Sequence, residues 1–269
     1  MIGAIIGDII GSVYEFDNIK TKEFELFRSD CEFTDDTVMT VAVADALMQY
    51  EDARQRDSLA DIDRFKAILV EAMHKYGKLY PEAGYGGHFG LWLDLGETEP
   101  YNSFGNGSAM RVSPVAWYAK TLEETIAFAM ASAEVTHNHP EGIKGAVATA
   151  GAVFLAKNGA TRDEIYAFVS DYYNVNFSLD EIRPFYGFYE TCQDSVPQAI
   201  VAFLESESFE DAIRNAISIG GDSDTVAAIT GSIAEAFYGI PHEILSTGLK
   251  YLDNNLAKTI RAFKEKVCR

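Results

Sequence analysis

Residues 3–12 read Gly3-Ala4-Ile5-Ile6-Gly7-Asp8-Ile9-Ile10-Gly11-Ser12. Ile5, Ile9 and Val13 recur every four residues, and Gly3, Gly7 and Gly11 do the same on a neighbouring stripe. That spacing fits one face of an α-helix and does not fit the alternation of a half-buried strand. A stripe of glycines lets the backbone of a second helix come close. Helical periods continue outward along the chain. Met39, Val43, Leu47 and Tyr50 mark a second helix, and Leu59, Ile62, Phe65, Leu69, Met73 and Tyr76 a third. Later repeats are Ile143, Val147 and Phe154, then Leu256, Ile260, Phe263 and Val267. Thr161 with Glu164, and Ser208 with Asp211, have capping-box spacing, and Pro140 and Pro241 stand where first-turn prolines belong. Long stretches of alternating Val, Ile and Thr are missing, although the loops leave room for a small hairpin. The expected fold is all-α, a compact orthogonal bundle of roughly ten or more helices.

The chain has 269 residues, 48% of them hydrophobic, enough for a large core in one domain. The loop-like stretches 96–108 and 174–190 separate no self-sufficient cores, so residues 1–269 are read as a single domain. The charge balance is 22 Lys+Arg against 41 Asp+Glu, a formal net charge of −19. Such a surface repels nucleic acid and anionic lipid, so neither is an expected partner. A polyanionic substrate would need local positive charge from helix N-termini, bound cations or both. No apolar run reaches the roughly 18 residues of a spanning helix. The apolar start lacks a basic flank and is interrupted by Asp8, unlike a signal peptide. Cys31, Cys192 and Cys268 are far apart and lack metal-ligand spacing, which points to free thiols and a cytoplasmic location.

Two acidic clusters open helices. Phe33-Thr34-Asp35-Asp36-Thr37 precedes the Met39 repeat, and Gly220-Gly221-Asp222-Ser223-Asp224-Thr225 precedes a small-residue helix from Val226 to Phe237. Asp or Thr before a helix is an ordinary N-cap, and either cluster alone is explained that way. Together they carry more carboxylates than two caps require, plus hydroxyl oxygens. This donor set suits Mg²⁺, Mn²⁺ or Ca²⁺ rather than zinc. Because the helices behind both clusters are rich in small residues, they are expected to lie close, bringing the clusters face to face. Carboxylates so gathered repel and gain protons unless cations sit among them; two cations balance them best.

The run Tyr101-Asn102-Ser103-Phe104-Gly105-Asn106-Gly107-Ser108-Ala109-Met110-Arg111 leads a Gly/Asn/Ser loop into a helix. Such a junction is either a plain turn or an anion site built from backbone N–H groups. Phe104 is unusual in a turn and could stack on a base. Gly84-Tyr85-Gly86-Gly87-His88-Phe89-Gly90 is equally ambiguous. Glu15 reads as solvated surface or as a site carboxylate, and His137 as a ligand contact or as the cap of the helix starting at Pro140.

Taken in order, GAIIGDIIGSVYEF, FTDDTVMT, GYGGHFG, SFGNGSAMR, THNHPEG and GGDSDT, spanning residues 3 to about 240, resemble the ADP-ribosylglycohydrolase family. That family includes the dinitrogenase reductase-activating glycohydrolases and the ADP-ribosylserine hydrolases. The resemblance implies an all-α fold and an enzyme that removes ADP-ribose from ADP-ribosylated proteins or small conjugates by cleaving the C1″ bond. It implies that Thr34, Asp35, Asp36, Asp222, Asp224 and Thr225 hold two Mg²⁺ or Mn²⁺ ions. Glu15 matches the mobile acidic residue near the scissile bond, with Asp35 and Asp36 beside it in the chemistry. Ser103, Phe104, Gly105, Asn106 and Gly107 match a loop around the diphosphate and adenine, Gly86 and Gly87 a loop beside the distal ribose, and His137 a ligand-contacting histidine. The usual GGDTDT carries Ser223 here, between ligand positions, with little consequence expected. The Tyr14-Glu15 pair leans towards the serine-directed branch. Competing expectations are a hydrolase of other ADP-ribose derivatives or nucleotides, a non-catalytic ADP-ribose binder, and a structural protein whose acidic clusters are only caps.

Overall fold

The structure is a computed structural model that describes residues 1–56 and 61–267. Leu59, from the third apolar repeat, and Cys268 lie outside the described residues. The chain runs through α1 (Ile2–Gly11), a 3-10 turn (Ser12–Tyr14), α2 (Asp35–Arg56), α3 (Ile62–Leu79), α4 (Gly87–Leu95), α5 (Gly107–Met110), α6 (Ser113–Tyr118) and α7 (Leu122–Glu134). It continues through α8 (Pro140–Lys157), α9 (Arg162–Ser170), α10 (Leu179–Ile182), α11 (Cys192–Leu204), α12 (Phe209–Ser218) and α13 (Ser223–Tyr238). It ends with α14 (His242–Gly248), a second 3-10 turn (Leu249–Tyr251) and α15 (Asn254–Val267). The fold is all-α, as the apolar spacing implied. Among the described residues there is no strand, only an isolated antiparallel bridge between Gly105 and Thr191. Among the described residues no helix is long and apolar enough to cross a membrane.

Helix α13 is the axis of the molecule, buried without interruption from Ser223 to Ala234 and surrounded by α1, α8, α11 and α12. A helix apolar and small on all sides belongs in a core. Its hydroxyls are satisfied inside: Thr230 Oγ1 donates to Ala199 O at 2.8 Å and Ser232 Oγ to Ile229 O at 2.7 Å. Helices α3 and α15 cover α2 with Phe65, Leu69, Met73, Leu256, Ile260 and Phe263. Thr161 and Glu164 form the expected capping box; Ser178 and Glu181 form another. Ser208 accepts from Asp211 N, but the Asp211 carboxylate turns to Glu207 N, so that box is half-formed. Pro140 opens α8, whereas Pro241 is the cap of α14, one position earlier than expected.

The partner of α13 differs from the expectation. Its most extensive packing is against α1, whereas α2 meets it far less, with Asp36 and Thr225 joined at the two helix starts. The reason is the glycine stripe. A Cβ on Gly3 would run into Gly231 O, and one on Gly7 into Ala227 O; one on Gly11 would lie 2.5 Å from Asp224 Cα. Only hydrogen in place of a side chain permits this antiparallel contact. The register sets the end of α1 beside the start of α13.

Candidate metal centre and substrate cavity

Three chain segments arrive at one point. The first is the exit of α1, which continues through Ser12–Tyr14 to Glu15. The second is the first turn of α13. Gly220 and Gly221, at φ 69° and 82°, make a left-handed turn that side chains resist, and Asp222 follows at the helix cap. Asp222 caps nothing with its side chain; its Oδ2 accepts from Asn106 Nδ2 at 2.6 Å. Ser223 turns away and donates to Gly11 O at 3.0 Å. The third segment is the start of α2. Thr34 Oγ1 accepts from Asp36 N at 3.3 Å, so a threonine provides the cap and both aspartate carboxylates are left for other uses.

A residue missed in the sequence holds this third segment. Asp8, fully buried in α1, accepts from Thr34 N at 3.0 Å, Thr34 Oγ1 at 2.7 Å, Thr37 N at 3.0 Å and Thr37 Oγ1. The Thr34 hydroxyl proton is thereby committed inward. A lone carboxylate inside an apolar helix was its signal, and it read only as an interruption.

The acidic clusters come together. Thr225 Oγ1 donates to Asp36 Oδ2 at 3.0 Å across 189 positions of sequence. Carboxylate oxygens of Glu15, Asp222 and Asp224 lie within 4.8 Å of one another. Burial, and then the charge of Asp224, push Asp35, Asp36 and Asp222 well above the usual carboxylate range. The same causes raise Glu15 to about 8 and Asp8 to about 7. Asp36 Oδ1 is buried with no hydrogen-bond partner. An unpartnered carboxylate oxygen in a crowd of like charges fits a site for hard cations, and every donor present is oxygen.

A cavity of about 410 Å³ opens over the cluster. Glu15, Asp35, Asp36, Asp222, Asp224 and Thr225 form one wall, and Gly86, Gly87, Ser103, Gly105, Asn106, Gly107 and His137 the others. Thr34 lines an adjoining cavity of about 500 Å³ that shares Glu15, Asp35 and Asp224. Phe104 stands outside, 46% exposed, with its ring 5.3 Å from that of His139. A Cβ on Gly86 or Gly87 would meet nothing within 4 Å, so these glycines leave open space. Gly105 N is engaged by Ser103 Oγ at 3.1 Å, and Asn106 Nδ2 also donates to Ser195 Oγ at 3.1 Å. The Asn106 amide thus belongs to the frame joining the loop to the metal-type cluster.

The cavity has its own positive charge, on a residue that sequence reasoning passed over. Arg111 is 1% exposed, lines the cavity, and donates from Nη2 to Ser132 O at 3.1 Å and Thr136 Oγ1 at 2.8 Å. Burial lowers it to about 10, which leaves it cationic at neutral pH. Its flanking apolar sequence in a strongly acidic chain was the available signal. Thr136 Oγ1 lies 2.7 Å from His137 Nδ1. Having accepted from Arg111, this hydroxyl is free to donate to Nδ1, which leaves the proton of a neutral imidazole on Nε2. Burial and the Arg111 charge hold His137 well below its ordinary value, hence neutral. The cap of α8 is His139 and not His137. Tyr101 and Glu190 also line the cavity, and neither was given a role from the sequence.

Known proteins share the chain's sequence pattern and its fold. The mouse ADP-ribosylhydrolase ARH3 is 25% identical over 320 aligned positions, covering 89% of this chain and 83% of that protein. The ADP-ribosylarginine hydrolase Tri1 of Pseudomonas putida (strain GB-1) is 27% identical over 270 positions, covering 89% and 70%. A solved structure of an ADP-ribosylglycohydrolase-related protein complex superposes with a TM-score of 0.62 at 21% identity, covering 99% of this chain and 97% of the other; this shows the shared fold. The family model for ADP-ribosylglycohydrolase matches residues 1–267, and the chain therefore belongs to the ADP-ribosylglycohydrolase family of hydrolases.

Proposed function

We propose that this glycohydrolase is cation-dependent and frees ADP-ribose from a modified protein or small conjugate by breaking the bond at C1″ of the distal ribose, with residues 1–269 acting as one domain. The observation that carries the reading is the meeting of Glu15, Asp222 and Asp224 within 4.8 Å at the edge of a cavity floored by the Asp36–Thr225 bond. Thr34, Asp35, Asp36, Asp222, Asp224 and Thr225 would hold two ions, Mg²⁺ or Mn²⁺. Ions held there would supply Lewis acidity that orients the distal ribose and draws off charge while its C1″ bond gains oxocarbenium character.

The rest is the work of the chain. Glu15, whose carboxylate oxygen lies within 4.8 Å of those of Asp222 and Asp224, borders the ion site and takes the part of the group that aligns water and accepts its proton. Asp35 and Asp36 border the same space. Arg111 gives the diphosphate a buried positive charge in a low-dielectric wall. His137 offers Nε2–H beside Gly105 and Gly107, and the open face at Gly86 and Gly87 admits the ribose. Phe104 stands outside the cavity lining and exposed, free to meet the adenine. The products are ADP-ribose and the unmodified acceptor side chain.

Purified protein with Mg²⁺ or Mn²⁺ should release ADP-ribose from a defined conjugate, and EDTA should stop it. Arginine-linked, serine-linked and ester-linked substrates, tried in parallel, assign the linkage. No turnover on any of the three, with either ion, would sink the proposal.

A further inference from the structure

We infer that Asn18 is a positioning residue that latches Glu15 over the acidic cluster by tying the turn after α1 to the Gly220–Gly221 turn. The inference rests on the reading of Glu15 and the cluster given above. Among the described residues the Glu15 carboxylate receives no hydrogen bond, so its place is set by its backbone. That backbone is held by one side chain. Asn18 Nδ2 lies 2.7 Å from Tyr14 O, 2.8 Å from Glu15 O and 2.9 Å from Gly221 O, sharing two N–H groups among three carbonyls. Asn18 Oδ1 accepts from Gly221 N at 2.7 Å. One amide therefore closes the end of the Ser12–Tyr14 turn and pairs with both backbone groups of the residue directly before Asp222.

The opposite turn is shaped to receive it. A Cβ on Gly220 would lie 3.1 Å from Asn18 Oδ1, and one on Gly221 would lie 2.5 Å from the Tyr186 ring. Lys20 adds a second strap, donating from Nζ to Tyr186 O at 2.6 Å and to Ile219 O. An amide is the one side-chain group that both donates and accepts in the pattern of a peptide, so the link is specific to Asn at this length. Asn18 itself is exposed, and its bonds exchange against water. The latch therefore biases Glu15 towards the cluster.

The test is Mn²⁺ affinity of the full chain, measured by calorimetry for wild type, Glu15→Gln, Asn18→Ala and the double variant. Asn18→Ala should weaken Mn²⁺ by about three- to tenfold, and in the Glu15→Gln background the further loss should be less than about twofold, as expected for residues acting through one interaction. Asn18→Leu, which keeps bulk and removes every polar atom, should behave like Asn18→Ala. ADP-ribose affinity and the thermal midpoint should stay near wild type, and kcat should fall with KM little changed. The latch is overturned if Asn18→Ala binds Mn²⁺ like wild type, or if its loss persists undiminished beside Glu15→Gln. A wild-type protein that binds no Mn²⁺ overturns the cluster reading itself, and the latch with it.

Discussion

The glycines of α1 and those at the start of α4 do opposite things. A Cβ on Gly3 or Gly7 would be driven into the backbone of α13, whereas one on Gly86 or Gly87 would enter empty space. The first group exists so that two helices touch, which sets the register that brings Glu15 beside Asp224. The second exists so that something else can approach. Glycine in a pattern of four, buried, is architecture; glycine in a cluster at the mouth of a cavity is room for a ligand.

The contrast is broken most decisively at Gly7. Gly7→Val places carbon against a carbonyl that cannot retreat, and we expect at least about 3 kcal/mol of destabilisation, or about 10 °C in the thermal midpoint. A soluble variant melting like wild type would remove the architectural half of the comparison. Next in size is Asp222→Ala. It should abolish Mn²⁺ binding and lower turnover by about a hundredfold or more, while stability in EDTA changes by no more than about 1 kcal/mol, because a crowded carboxylate is lost along with its bond to Asn106.

A third test sharpens the contrast through pH. In the folded, metal-free protein Glu15 is raised from 4.5 to about 8 and Asp8 from 3.8 to about 7, chiefly by burial. Folded protein therefore holds protons that the unfolded chain has released, and stability falls as pH rises through that interval. Melting in EDTA should occur at lower temperature at pH 8 than at pH 5, and added Mg²⁺ should raise the midpoint more at pH 8. An EDTA midpoint that climbs between pH 5 and 8 would contradict the crowding of these carboxyls. The smallest effect is expected at Gly87, the first residue of α4. Gly87→Ala should leave stability unchanged or raise it by about 0.5 kcal/mol through better helix propensity, while KM for the ADP-ribosylated substrate rises a fewfold.

Much of this was legible in the chain. The repeats at Ile5, Met39, Ile143 and Leu256 fall on helices because burying one face every 3.6 residues leaves a periodic trace. The two Asp clusters were legible because four carboxylates exceed the needs of two caps. What escaped was tertiary. Asp8 looks like a flaw in an apolar helix until Thr34 and Thr37 come to it from α2. Arg111 looks like the tail of a turn until Ser132 and Thr136 close around it. Asn18 is one more polar residue in a loop until Gly221 faces it. The starts of α2 and α13 meet, as the small residues behind both clusters allowed, but small residues permit close approach without naming the main partner; the glycine stripe of α1 names it.

The Asn106 amide reaches from the glycine loop to Asp222 at 2.6 Å. A conjugate settling on that loop and an ion settling among the carboxylates would both press on the same two atoms. Were occupancy of one to shift those atoms, linkage would make the two affinities interdependent, each changing the other by an identical factor. Substrate affinity would then have meaning only at a stated ion concentration, and ion affinity only at a stated occupancy of the cavity.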